Sequence, residues 1–477
     1  ACDARWRRPD LKAWHRIGLD DLSASDLNDD FTFAQYAARE EHIFAEIRAF
    51  ESTIDARERT RVNRYNPGSL SHPLSAGRDW NRSFETRPET GIRGGALLVH
   101  GLTDSPYSMR AVAGVLSQHG VYSLSLRMPG HGTVPSGLAR ASLKDWLAAV
   151  RMGVRHVRAS IPPAAPLVLV GYSNGGALVL KYTLDAMDRA GDPRPATLIL
   201  LSPMVGVTPA ARLAWWISLL GVVPYFEKAN WLDVIPEYNP FKYNSFPANA
   251  GFQTASLTSA LQADLDRLTS NGRLTSMPPI LTFQSIVDAT VSTPAVVHLL
   301  YDRLPPNGSE LVLFDINHLS GIDVFVQSAD QSLVDSLFGR QPRSYRRVLV
   351  TNRSPESREV DAETIEPNAA AGRRRPLDLA WPPEVFSLTH VAIPFPPDDP
   401  LYGIEGPTKE AGLLPIGRLS PRGERAVLTI GTDVLMRLSS NPFFPFVAER
   451  IGGWVTRVEA RPSDRSTPRG APARDTP

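Results

Sequence analysis

Six residues, Gly171-Tyr172-Ser173-Asn174-Gly175-Gly176, stand between the apolar run Leu167–Val170 and a second apolar stretch that begins at Ala177. A serine with glycine two places before and two places after it suits a sharp strand-to-helix turn that holds its hydroxyl in strained, exposed geometry, because a Cβ at either flanking position would clash. Gly176 lets the following helix pack close to the strand. The plainer reading is a serine among turn glycines. A serine hydroxyl is a poor nucleophile until a base removes its proton, so the chemical reading requires a histidine, and the histidine requires a carboxylate to orient it. Acyl transfer also requires hydrogen-bond donors for the oxyanion that develops on the carbonyl.

In a sheet that carries such a serine, the chain order is serine, then Asp or Glu, then histidine, with both partners on loops after later strands. Asp288 follows the apolar run at Ile280–Gln284, and His318 follows Leu311–Phe314 in FDINHLSG. Each alone has an ordinary reading, a turn acid and a hydrogen-bonded structural histidine. Together, in the required order and each at a strand end where ligands bind open α/β sheets, they are the expected carboxylate and base. The rival base is His390 in SLTHVAIPF, which also ends an apolar stretch. The expected oxyanion donors are the backbone amides of Asn174, next after the serine, and of Leu102, in the turn VHGLTDSPYSM.

The elements that must position these groups are short apolar runs at 96–100, 122–126, 167–170, 197–201, 280–283 and 311–314, with helix-like segments between most of them. Strands apolar throughout and alternating with helices predict an α/β fold, a doubly wound and mostly parallel sheet covered on both faces. The expected organisation is a helical N-terminal extension and connector (1–90), the first half of the core (91–203), an inserted cap or lid (204–277), the second half of the core (278–340), a polar flexible excursion (341–376), a C-terminal extension packed on the core (377–456) and a disordered tail (457–477). The cap interval is rich in aromatics. Trp215, Trp216 and Leu219 either line a pocket for an apolar acyl or aryl group or form the cap's own core.

The chain has 477 residues, 42% hydrophobic and 21% charged, with a formal net charge of +1. That balance gives no global field for nucleic acid. The single cysteine is Cys2, which excludes a disulfide framework and a thiolate metal cluster. Cys2 directly after Ala1 suits an acylated lipoprotein cysteine and membrane attachment at a bacterial cell envelope, against a cytoplasmic or secreted protein with a meaningless cysteine. No H-E-x-x-H and no G-x-x-x-x-G-K-[ST] is present, so a reaction without metal or cofactor is expected.

HGLTDSP (100–106), RMPGHGTVP (127–135), GYSNGG (171–176), the Asp after the penultimate core strand and the His after the last resemble the serine hydrolases of the α/β-hydrolase fold. The likeness is to the branch of monoacylglycerol lipases, carboxylesterases and lysophospholipases, and it covers about 94–339. It implies Ser173 as nucleophile, His318 as general base and acid, Asp288 as its partner, Leu102 and Asn174 as oxyanion donors, and a structural role for His131. The activity implied is hydrolysis of small-molecule or lipid-like carboxylic esters. Amide or aminoacyl cleavage and acyl transfer on the same triad are the alternatives, as is a non-catalytic envelope scaffold.

Overall fold

The computed structural model describes residues 9–206, 224–288, 290–319, 337–339, 341–383, 385–404 and 437–460. Cys2, Trp215, Trp216, Leu219 and the tail after 460 lie outside the described residues. The strands that matter for the site are β1 (Phe84–Thr86), β2 (Gly94–Val99), β3 (Val121–Leu126), β4 (Leu167–Tyr172), β5 (Thr197–Leu201), β6 (Ile280–Ser285) and β7 (Glu310–Phe314). Three more follow, β8 (Arg346–Asn352), β9 (Glu359–Ile365) and β10 (Arg373–Ala380). They form one sheet in the order β1-β3-β2-β4-β5-β6-β7-β8-β9-β10. From β3 to β8 every neighbouring pair is parallel, and β1, β9 and β10 add antiparallel margins.

Successive side chains of a strand point to opposite faces, so a strand buried on both faces must be apolar at every position. Leu97, Val99, Leu169, Leu198 and Leu200 enter one core. Their neighbours Ala96, Leu98, Val168, Val170, Ile199 and Leu201 enter the other. The helices α1 (Phe33–Ser52), α2 (Arg110–Gln118), α3 (Leu143–Ala159), α4 (Asn174–Asp188), α5 (Ala248–Ser270) and α6 (Phe444–Glu459) complete the described layers. On the first face lie α3, α4 and α5; on the second lie α2 and α6, the latter through Phe446, Val447, Ile451, Trp454 and Val455.

Two expectations about organisation are corrected. The interval 341–376 is not a flexible excursion, because it carries β8, β9 and the first half of β10 as sheet strands. Its charges alternate with core residues: Val360 and Ala362 of β9 are buried against the second core while Glu363 is part-exposed. The arginines Arg373–Arg375 and Pro376 sit on the edge strand, where charge and a missing N–H discourage further pairing. The interval 204–277 is also not cap throughout. Leu257, Leu261, Leu265 and Leu268 of α5 recur every three or four residues and enter the first core, each contributing about 1.5–3 kcal/mol by burial.

The N-terminal extension is fastened to the core by a buried cation. Arg127, fully buried, donates to both carboxylate oxygens of Asp21 at 2.8 and 2.9 Å and to Glu40 of α1 at 3.0 Å. Its Nη1 also donates to the His131 carbonyl at 3.1 Å, which holds the PGHG turn.

Candidate active site

Ser173 occupies φ 55° and ψ −118° between β4 and α4. A non-glycine residue in the left-handed half of backbone space is strained, and the neighbours show what enforces it. A Cβ on Gly171 would lie 2.5 Å from the Gly175 carbonyl, and one on Gly175 would fall on the Val99 carbonyl. The Ser173 amide donates to Leu201 at 2.9 Å and its carbonyl accepts from Met204 at 3.0 Å, so the turn is clamped from the adjacent strand.

Asp288 leaves the end of β6 with its side chain fully buried. One carboxylate oxygen accepts the amides of Thr290 and Val291 at 2.8 and 2.9 Å, and the other accepts His390 Nδ1 at 2.8 Å and Gln284 Nε2 at 3.1 Å. Burial alone would raise this carboxyl; the attraction of the His390 imidazole in its protonated form and the converging hydrogen bonds outweigh it, and the group is held below its ordinary value. An ionised carboxylate only accepts, so Nδ1 of His390 carries the proton and Nε2 is left as the basic nitrogen. The imidazole stacks on the ring of Tyr172, the residue before the serine, with centroids 5.5 Å apart and planes at 25°.

The structure does not bring His318 to Asp288. His318 Nε2 pairs with Asp315 at 3.1 Å, and Asp315 also accepts the Thr351 hydroxyl of β8 at 2.7 Å. The expectation followed from ending the core at β7; with three further strands in the sheet, the chain returns to Asp288 later, at His390. Both histidines satisfy the order serine, carboxylate, histidine, and only the tertiary pairing separates them.

The two expected oxyanion donors flank the serine. Asn174 is the first residue of α4, where an amide has no intrahelical acceptor. Leu102 follows Gly101, whose added Cβ would meet Ser173 Cβ and Tyr172 Cε1 at 3.2 Å, so this turn lies against the nucleophile. The Met128 amide donates to His100 Nε2 at 3.1 Å, which leaves Nδ1 to donate to the Gly101 carbonyl at 2.9 Å. In a trans peptide, a carbonyl drawn to one side sends the following N–H to the other. The Gly101–Leu102 peptide is thereby fixed by His100, whose imidazole burial keeps neutral. His131 packs against His100 with ring centroids 5.0 Å apart and is pushed down to about 3 by burial, as befits a structural residue.

Sequence reasoning also passed over Asp104 and Lys242. Asp104 is 5% exposed, and burial pushes its carboxyl up to about 6 against the opposing pull of Lys242, the Ser105 amide, Ser108 and His390. Lys242 is pushed down by burial and partly restored by Asp104. The signal was available: Asp104 stands two residues beyond the expected oxyanion amide of Leu102, in the same turn.

Residues 91–315 match the family described as serine aminopeptidase, S33. The thermostable monoacylglycerol lipase of Bacillus sp. (strain H-257) is 26% identical over 231 residues, 48% of this chain and 84% of that protein. Among solved structures, a chain from work on LipS and LipT, two metagenome-derived lipolytic enzymes, is 22% identical and covers 50% of this chain and 87% of its own, with a TM-score of 0.39. The monoacylglycerol lipase of Paleococcus ferrophilus is 16% identical over 49% of this chain and 89% of its own, with a TM-score of 0.38. With that family match over the segment that holds β2 to β7, and with a parallel sheet turning into a helix at Ser173, the chain has the doubly wound fold of the α/β-hydrolases and is similar to the branch of the monoacylglycerol lipases and esterases.

Proposed function

We propose that the protein hydrolyses carboxylic esters through an acyl-enzyme, with Ser173 as nucleophile, His390 as general base and acid, and Asp288 as its orienting carboxylate. The observation that carries this is the 2.8 Å bond from His390 Nδ1 to a fully buried Asp288, beside a serine in strained backbone geometry. Ser173 Oγ adds to the ester carbonyl while Nε2 of His390 takes the hydroxyl proton. The oxyanion takes hydrogen bonds from the amides of Leu102 and Asn174. Collapse breaks the ester C–O bond, and His390 gives its proton to the departing alkoxide. Water, deprotonated by the same histidine, then releases the acid and restores the serine.

The substrate side of the proposal is a lipid-like ester with an apolar acyl or aryl group, in keeping with the monoacylglycerol lipase likeness. Cleavage of aminoacyl amides is the second reading, favoured by the family description. A substrate α-ammonium would need an unpaired carboxylate near the serine, and Asp104 is instead offset by Lys242. The test is labelling by an alkyl fluorophosphonate together with parallel rates on monoacylglycerols, short aryl esters and aminoacyl amides. Labelling of wild type but not Ser173→Ala, with ester turnover dominant, is the expected result. Equal labelling of both proteins, or dominant amide turnover, refutes the proposal.

A further inference from the structure

Ser173 and Asp288 leave the ends of central parallel strands, so sheet pairing fixes where they stand. His390 has no such support. It follows β11 (Ser387–Leu388), a two-residue strand that pairs with β12 (Arg437–Leu438) apart from the ten-stranded sheet. Something else must hold the imidazole within 2.8 Å of Asp288.

Three hydrogen bonds run from the core to the residues just before His390. The Asn317 amide donates to the Phe386 carbonyl at 2.7 Å, Asn317 Nδ2 donates to the Val385 carbonyl at 2.8 Å, and Ser285 Oγ donates to the Leu388 carbonyl at 3.1 Å. Two of the three come from one residue. Asn317 is 2% exposed and its oxygen is also committed, accepting the Leu319 amide at 3.1 Å and Asn352 Nδ2 at 3.0 Å. With Oδ1 engaged by two donors, the amide cannot flip without breaking both, so Nδ2 stays directed at Val385. Asn352, at the end of β8, is fixed in turn: it donates to the Ser357 carbonyl at 2.7 Å and accepts the His318 amide at 3.1 Å.

We infer that Asn317 is a positioning residue for His390, and that the loop 315–318 after β7 serves as the bracket that carries the base on another segment. The bracket is stiff because the backbone N–H, Oδ1 and Nδ2 of Asn317 are all engaged and its support belongs to the sheet; a catalytic geometry needs such a fixed surround. Ser285 is the second arm. It lies three residues before Asp288 and binds two residues before His390, so it ties the two partners of the pair to a common register. The inference rests on the assignment of His390 as base.

The test compares Asn317→Ala with Asn307→Ala in the full chain. Asn307 is a matched control at the opposite end of β7, where its Nδ2 donates to the Met277 and Pro278 carbonyls at 2.9 and 3.2 Å. Each substitution removes a side-chain amide whose Nδ2 and Oδ1 are both engaged, while the Asn317 backbone N–H keeps its bond to Phe386, so both lower Tm. Only Asn317→Ala should lower kcat on a short aryl ester, by about 10- to 100-fold for a misplacement near 1 Å, with KM and the oxyanion turn unchanged and the fluorophosphonate labelling rate falling in step. Unchanged kcat in Asn317→Ala, or an equal loss in Asn307→Ala, overturns the inference. If Asn317→Ala does not fold, Ser285→Ala decides: a lowered kcat at constant KM supports the bracket and an unchanged kcat overturns it. A His390→Ala variant run alongside separates the two levels, since retained turnover there removes the base assignment itself.

Discussion

Asp288 accepts the Nδ1 proton of His390, a residue 102 positions further along the chain, at 2.8 Å, while His318, thirty positions away, bonds to Asp315. The separation means that four strands of the large sheet, β7 to β10, and the turns between them lie between this carboxylate and this histidine. With His390 as the proposed base, catalytic competence is expected to depend on the folding of β8 to β10 as well as on the strands that carry Ser173 and Asp288.

The sharpest consequence concerns the two histidines. His390→Ala should lower kcat by about 10⁴-fold or more, because a serine without its base loses nearly all of its nucleophilic advantage. His318→Ala should keep most turnover and lose stability, since it deletes the bond to Asp315 and leaves the Asp288–His390 pair in place. Steady-state rates on one ester and melting curves for both variants check this, and a reversal of the two rate effects would return the base to His318.

The oxyanion turn offers an independent test. A Cβ at position 101 would sit 3.2 Å from both Ser173 Cβ and Tyr172 Cε1, tighter than ordinary contact, so Gly101→Ala must move the turn by a few tenths of an ångström. Moving the Leu102 amide off the developing oxyanion should cost kcat about 10²-fold with little change in KM. A boronic acid that forms a tetrahedral adduct with the serine should weaken in parallel, whereas a ground-state product acid should not.

What could be read from the residues divides along physical lines. The turn at Ser173 was legible because its requirements are local: an apolar strand, glycines where a Cβ would clash and an apolar helix. Asp288 was legible because it ends an apolar run. The choice between His318 and His390 was not, because chain order constrains sequence and leaves the loop open. Arg346–Asn352 reads RRVLVTN, and its three apolar residues were outweighed by the arginines around them, although an outer strand tolerates charge at its ends. Asn317, Ser285 and Asp104 act through contacts made across long separations, which no local pattern records.

Asp104 gives the site a pH signature. Its carboxyl is raised from 3.8 to about 6 in the folded protein. Between those values the unfolded chain has released a proton that the folded chain still holds, so stability falls as pH rises through that window. A shift of this size corresponds to about 3 kcal/mol. Asp104→Asn removes the titration: its Tm should match wild type near pH 4 and exceed it above pH 6. Calorimetry across that range checks the sign, and a wild-type advantage at neutral pH would show that the attraction of Lys242 outweighs burial.

Arg127 places the N-terminal extension in the same account. Replacing it with Met leaves Asp21 and Glu40 facing each other without a cation inside the protein, and removing one partner of a buried ion pair costs about 3–5 kcal/mol. Glu40 is already raised by burial despite Arg127 and the Ser83 hydroxyl, while Asp21 is held low only because Arg127 and two backbone amides overcome its burial. Without the cation both folded-state values rise above those of the unfolded chain, so the variant's deficit must grow with pH and be least in mild acid, where protonation relieves the repulsion. Chemical denaturation of Arg127→Met at pH 5 and pH 7.5 reads this directly. The double variant Asp21→Asn, Glu40→Gln in the Arg127→Met background should recover part of the loss at pH 7.5 and much less at pH 5. Equal deficits at both pH values would mean that Arg127 acts by filling space beneath the PGHG turn and that the extension is held by packing.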